Sequence, residues 1–343
     1  MRLVKRWLRW AIWGAALFFI VHTLVSFWPE IRQVKLRETS WRWLVLAGGI
    51  TLVAHCWAGW VWHWLLQAWG LKLGKLWAVR VYLLTNVAKY LPGNVWHFVG
   101  RVQAVQDSGG KLGQSVASVV AEPLVMAVAA LGVGTAFSWL SWLMFLAKGQ
   151  VLEEYTVPSV TVPNVAVPNV RLGEIWWCVG LLCSWAIALY LLHPNRLNPR
   201  LEQMSRLRMR LLEDKQGKRT PAEKESILKL KDYPVRALVG EMVFVLGRAL
   251  GFVATAIALT PVSLSDWPLL ISAFCIAWLL GLVVPGAPGG VGIFEATATA
   301  LLSGYLPIGA IVGSVVCYRA ITTLAELVGA VVFWIQGKLS PSV

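Results

Sequence analysis

Long apolar runs constrain this chain more than any other feature. A helix needs about 18 or more apolar residues to cross a hydrocarbon core. Such stretches fall at roughly residues 10–28, 43–69, 115–146, 174–192, 236–260 and 267–284, with a final pair at 289–304 and 309–335. Lipid offers backbone groups no hydrogen-bond partners, so runs of this kind must satisfy themselves as helices. Composition agrees: 57% of residues are hydrophobic and 14% charged, against about half and about a quarter in soluble domains. The sequence therefore predicts an all-α polytopic membrane protein, one integral membrane domain over residues 1–343, with about eight transmembrane helices.

Tryptophan, at 21 copies, clusters near run ends: Trp7, Trp10 and Trp28 around the first, and Trp57, Trp60, Trp62, Trp64 and Trp69 late in the second. An apolar ring with a polar N–H suits the membrane–water boundary, which is where these residues are expected.

Charge sets the orientation. Residues 1–9 carry Arg2, Lys5, Arg6 and Arg9, and the loop at 193–236 holds twelve Lys or Arg against six acids. Basic residues collect in cytoplasmic loops, so the N-terminus and this loop are placed inside the cell. That distribution explains the net charge of +14 without nucleic acid. The basic loop reads as amphipathic helix on the anionic inner surface or as a solvated charged loop. The first run lacks a small-x-small cleavage site and is expected to stay as a signal anchor. The loop at 147–173, with its "TVPSVTVPNVAVPNV" repeat, fits an extended spacer outside the cell. Parity then requires residues 81–100, which carry Lys89, His97 and Arg101, to enter and return on the cytoplasmic side as a re-entrant hairpin around "KYLPGN". No Cys pattern points to zinc or disulfides, and no GxxxxGK[ST] loop points to a nucleotide, so neither metal nor cofactor is expected. His55 and His63 read as polar contacts within the bundle, and Gly48, Gly49 and the small residues of 127–136 as close helix packing.

The stretch "VVPGAPGGVGIFEA" (283–296) breaks an apolar run with Pro285, Gly286, Pro288, Gly289, Gly290 and Gly292, and Glu295 follows. An echo lies upstream in "YLPGNVWHFVGR" (90–101), where Pro92-Gly93 is followed by Arg101. Further on, "LGQSVASVVAE" ending at Glu122 resembles "IGAIVGSVVCYR" ending at Arg319, so each matched position reverses its charge. Paired Gly/Pro-interrupted segments in two halves of a membrane chain point to a binding site. The repeat-like halves are about 80–146 and 280–335.

The segments "KYLPGNVWHFVGR", "PGAPGGVGIFEA" and "CYRAITTLAELVG" resemble the hallmark segments of the lysylphosphatidylglycerol synthase transmembrane-region family. That family includes the flippase half of the bacterial multiple peptide resistance factor and stand-alone relatives. The resemblance runs from about residue 40 to 335 and implies a protein that moves, or helps to move, a polar-headed lipid between leaflets. The soluble aminoacyl transferase half of the bifunctional members has no counterpart in this sequence, so no lipid-lysylating enzyme is expected.

Ionisable residues inside apolar runs are costly and usually face a cavity with a partner. The candidates are Arg101, Glu122, Glu241, Arg248, Glu295, Arg319 and Glu326, with Lys89 and His97 lining the hairpin. Glu241 and Arg248, like Arg319 and Glu326, are seven apart and share a helix face. Arginine binds phosphate bidentately, so Arg101 and Arg319 are expected phosphate contacts, with Glu122 and Glu295 as counter-charges. The leading expectation is a non-enzymatic translocator of an anionic or polar-headed phospholipid, or of a lipid-linked molecule, in the bacterial plasma membrane. The alternatives are a non-transporting partner of a cell-envelope or lipid-modifying enzyme, and an integral membrane lipid transferase. The absence of a DxD or HxxxD arrangement weighs against the transferase.

Overall fold

The computed structural model describes residues 38–90, 95–147, 170–196, 198–199, 233–283 and 292–339. The expected first span at 10–28 with Trp7, Trp10 and Trp28, nearly all of the Pro-rich outer loop and most of the basic inner loop lie outside these residues. So do Pro92, Gly93, Pro285, Gly286, Pro288, Gly289 and Gly290.

Every described element is helical. In chain order they are α1 (Ser40–Ala68), α2 (Lys75–Asn86), a 3-10 turn (Val87–Tyr90), α3 (Trp96–Asp107), α4 (Leu112–Ala147) and α5 (Val170–Leu192). They continue with α6 (Val235–Leu259), a 3-10 turn (Leu264–Asp266), α7 (Trp267–Val283), α8 (Ile293–Leu302) and α9 (Ile308–Leu339). Five helical stretches are long and apolar enough to cross a membrane: Ser40–Ala68, Leu112–Leu146, Val235–Leu259, Leu264–Val283 and Ile308–Lys338. Their outward faces carry exposed Val45, Val53, Val239, Val243, Val328 and Val332, the surface expected of a bundle bathed in lipid. The chain is a multi-pass membrane protein.

Three elements are too short for a simple crossing. Helices α2 and α3, of 12 residues each, reach about 18 Å at 1.5 Å per residue. Helix α8, with 10 residues, reaches about 15 Å, half of a hydrocarbon core about 30 Å thick. The sequence leaves open whether 289–304 spans or re-enters, and this helix by itself is too short to span. The reason is local. Gly292 sits at φ +86°, a left-handed conformation that L side chains disfavour. Its backbone N–H donates to Glu295 Oε2 at 2.7 Å, so the helix starts only beyond it.

Helix packing depends on glycines at close approaches. Helix α6 lies along α1, and a Cβ on Gly240 would meet Val61 and Trp64 at 2.7 Å, while one on Gly251 would meet Thr51 Oγ1 at 2.6 Å. On α4, Gly132 and Gly134 approach Trp185 and Cys275, in keeping with the small residues of 127–136. Gly49 touches nothing and Gly48 only Ile321, so that pair is not the close contact. Trp62 and Trp69 are also placed differently from expectation. Both are buried, because α1 is covered on that side by α2 and α4, and an interior ring fills more volume than any alternative side chain. An aromatic cluster of Phe252, Phe274, Phe294 and Tyr318, with ring centroids between 5.5 and 6.3 Å apart, joins α6, α7, α8 and α9 and fixes Tyr318 in place.

At Gly59 the obstacle is backbone: a Cβ would lie 2.8 Å from Val79 Cα, which cannot step aside. Gly59→Val is expected to destabilise the protein by about 1–3 kcal/mol or more through overpacking. Gly49→Ala, with open space around it, should be neutral within about 0.5 kcal/mol. Thermal unfolding in detergent distinguishes the two.

Candidate functional site

A cavity of about 550 Å³ opens among α2, α3, α4, α6, α7 and α9. Among the described residues its wall carries four cations, Lys89, Arg101, Arg248 and Arg319, with His55 and His97, and one carboxylate, Glu122. Tyr82, Asn86, Tyr90, Tyr318, Thr322 and Thr323 complete the polar side, while Phe98, Met126, Phe274, Trp278 and Phe294 supply the apolar side. The lining runs outward to Leu124, Leu282 and Val283, all exposed. The cavity thus meets the bundle surface between α4 and α7.

Arg101 reaches the wall from the short helix α3, and Glu122 from the middle of α4. They form an ion pair, with Arg101 only 2% and Glu122 only 3% exposed. Pro123 follows Glu122 directly and interrupts the α4 hydrogen-bond ladder by removing an N–H. The guanidinium stacks over the Tyr82 ring, with its carbon 3.8 Å from the centroid. It also donates to Thr85 Oγ1 at 3.3 Å and Asn86 Oδ1 at 3.4 Å.

The same parts recur with their charges exchanged. Glu295 stands in the first turn of short helix α8, and Arg319 on long helix α9. Arg319 Nε lies 2.7 Å from Glu295 Oε1, and Nη2 lies 3.4 Å from Oε2. Glu295 therefore caps its own helix and holds the arginine with one carboxylate. A carboxylate at a helix N-terminus is also favoured by the helix dipole. Glu295 reaches the cavity through Arg319, since it is not itself on the wall.

A third cluster lies between these pairs. Glu326 is fully buried, accepts from Lys89 Nζ and from Tyr90 hydroxyl at 2.9 Å, and lies 2.8 Å from His55 Nε2. Tyr90 hydroxyl is also 2.9 Å from Thr323 Oγ1. Arg248 Nε donates to Tyr318 hydroxyl at 2.9 Å, and that hydroxyl donates in turn to the Arg248 carbonyl at 2.9 Å. Among the described residues no carboxylate lies within ion-pair distance of Arg248.

One pairing that spacing allowed is corrected here: Glu241 does not pair with Arg248. Arg319, which shares a helix face with Glu326, does not pair with it either. Residues seven apart share a face but are separated by about 10.5 Å along the axis, beyond a direct contact. Arg319 turns to Glu295, and Glu326 to Lys89 and His55. Glu241 is fully buried, lies off the cavity wall, and has no hydrogen-bond partner for either carboxylate oxygen among the described residues.

The structure therefore gathers Lys89, His97, Arg101, Glu122, Arg248 and Arg319 around one space, with Glu295 behind. The sequence pattern did not single out Tyr82, Asn86, Tyr90 or Tyr318 as site residues, and His55 was read only as a bundle contact. One signal existed: Tyr318 directly precedes Arg319 in "CYRAITTLAELVG", though a tyrosine in an apolar helix carries no charge to attract notice. The lysylphosphatidylglycerol synthase transmembrane region matches residues 6–329. The chain belongs to that family. No curated protein matches it. Family membership ties the cavity to a membrane protein with a lipid-related role, and all three segments that carried the resemblance contribute residues to or beside it: Lys89, His97 and Arg101; Phe294 and Glu295; Tyr318 and Arg319.

Removing one member of a buried pair strands the other. Arg101→Met alone should destabilise this family member by about 3–5 kcal/mol, because Glu122 is left charged and unpaired. The double variant Arg101→Met/Glu122→Met should recover most of that loss. Unfolding of the three proteins in matched detergent micelles measures the difference.

Proposed function

We propose that this protein translocates a phosphate-bearing lipid between the leaflets of the bacterial plasma membrane, without an enzymatic step and without a nucleotide or metal. One observation carries the reading. Among the described residues, four cations and a single carboxylate line a cavity whose wall continues to exposed apolar residues at Leu124, Leu282 and Val283. Moving a phospholipid requires shelter for its headgroup while the acyl chains remain in hydrocarbon. A cationic chamber with an apolar side opening supplies both. Guanidinium groups match phosphate through charge-assisted, bidentate hydrogen bonds.

In this reading Arg101 and Arg319 exchange their carboxylate partners for the phosphate. Glu122 and Glu295 take the arginines back when the headgroup leaves, so neither charge is stranded at any stage. Arg248 meets the phosphate first, having no carboxylate to give up. Helices α2 and α3 form a re-entrant hairpin, and the N-terminus lies in the cytoplasm. The charge-reversed pairs on α3–α4 and α8–α9 belong to two repeat-like halves that face each other across the lipid path. Membrane lipids are then the partners that the function needs, and a lipid-modifying enzyme is a supplier or consumer of the cargo.

Leaflet exchange of fluorescent phosphatidylglycerol in proteoliposomes tests this. The wild type should exchange lipid. Glu295→Gln and Arg319→Ala, each checked for folding, should be strongly impaired. Arg248→Gln should slow exchange about tenfold or more, the weight of a lost hydrogen bond to a charged group. Equal silence of the wild type with several lipid classes, proton gradient applied, would instead support a non-transporting partner of an envelope enzyme.

Glycine at position 292 provides a second check. The φ of +86° makes Gly292→Ala strained by about 1–2 kcal/mol. The strain falls on the turn that presents Glu295, so exchange should drop more than global stability does. Comparing exchange rate with melting temperature for that variant reads this directly.

A further inference from the structure

The wall of the cavity holds a contradiction in hydrogen placement at His55. Its Nδ1 lies 2.7 Å from the Thr51 carbonyl, an acceptor only, so Nδ1 carries a hydrogen. The other ring nitrogen, Nε2, has two neighbours with opposite needs. Glu326 Oε1 at 2.8 Å requires a proton on Nε2. Arg248 Nη1 at 3.3 Å is a donor only and requires a lone pair there. Nε2 cannot serve both at once.

We infer that the cavity binds a proton at His55 Nε2 together with its phosphate ligand. Without that proton, Nε2 accepts from Arg248, while Glu326 is held by Lys89 and Tyr90. A proton taken from water in the cavity converts Nε2 to a donor toward Glu326 Oε1. Arg248 then loses its acceptor, faces a like charge on the ring, and turns its Nη1 hydrogens to an anion in the cavity. Loss of the anion returns Arg248 to the ring, and the proton leaves to water. Proton and oxyanion are thus coupled ligands of one site, as linkage requires of two groups biasing the same element.

The charged groups that act on the ring are Lys89 of the 3-10 turn, Arg248 of α6, which also brings the edge-on Phe244 ring, and Glu326 of α9. Tyr90 in turn holds Glu326, and Tyr318 holds Arg248. Cations outnumber carboxylates here, which makes the protonated state short of a negative charge. A phosphate supplies it. The inference rests on the cavity being the lipid's headgroup site, as proposed above.

Calorimetric binding of dioctanoylphosphatidylglycerol to the full chain in detergent tests the link, using two buffers of different protonation enthalpy, with inorganic phosphate as a second probe. In the wild type the apparent enthalpy should shift between buffers by an amount matching uptake of up to one proton per ligand. Affinity should rise as pH falls, by up to about tenfold per pH unit at full coupling. Proton uptake with inorganic phosphate in excess of that shown by His55→Gln, which carries phosphate's own titration, assigns the link to the oxyanion alone; uptake only with the lipid assigns it to a headgroup held by its chains. His55→Gln should bind lipid with the buffer dependence gone. Lipid binding by the wild type with no buffer dependence between pH 5 and 8 overturns the proton link and leaves the translocation reading intact. Full proton uptake by His55→Gln also overturns it. Failure of the wild type to bind either probe overturns both readings.

Discussion

A charge buried in a membrane protein must carry its partner with it, and the centre of this bundle is arranged around that requirement. Lys89, Arg101 and Arg319 each have a carboxylate, and Arg248 has a tyrosine and a histidine. The cost of an unpartnered charge in low dielectric is several kcal/mol or more, far above what any one apolar contact returns. The helices are therefore held in the register that keeps these contacts closed. The small residues that let α6 approach α1 and the aromatic cluster behind Tyr318 serve the same end, since both bring the polar ends of side chains from different helices to one place.

Broken and short helices follow from the same constraint. An arginine on a straight, lipid-spanning helix would have to reach across the bundle for its carboxylate. Helices α3 and α8 instead are short, each lies beside a long helix, and each presents one charge to it. Gly292 at positive φ and Pro123 within α4 are the backbone devices that permit this. Both weaken regular hydrogen bonding locally, and both sit next to a charged residue of the site. Backbone irregularity in a membrane protein is tolerable where it lines a cavity rather than lipid, and Pro123 stands on the cavity wall.

The two crossed pairs give the site a property that a single pair would lack. Arg101 lies on a short helix with its acid on the long one, and Arg319 lies on a long helix with its acid on the short one. A movement of either short helix separates one arginine from one glutamate, and in opposite senses. Between them, Glu326 gathers Lys89, Tyr90 and His55, so a displaced charge in this region always has another polar group within reach.

By itself the sequence determined that the chain is a helical, multi-pass membrane protein, where its charges interrupt the apolar runs, and which family it resembles. Those are properties of composition, run length and short motifs, and hydrocarbon imposes them on each segment separately. It also marked Arg101, Glu122, Glu295 and Arg319 as belonging together, because a charge amid apolar residues is conspicuous wherever it falls. Partner choice was a different matter. Seven-residue spacing placed Glu241 with Arg248, and Arg319 with Glu326, on shared helix faces, yet two helical turns separate the members of each pair, and contacts across helices took their place. Tyr318, Tyr82 and His55 entered the site for the same reason, as their roles depend on what a neighbouring helix presents within about 3 Å. Pairing across the bundle, the depth of the cavity and its opening between α4 and α7 were decided only by the tertiary structure, since they are set by distances between residues far apart in the chain.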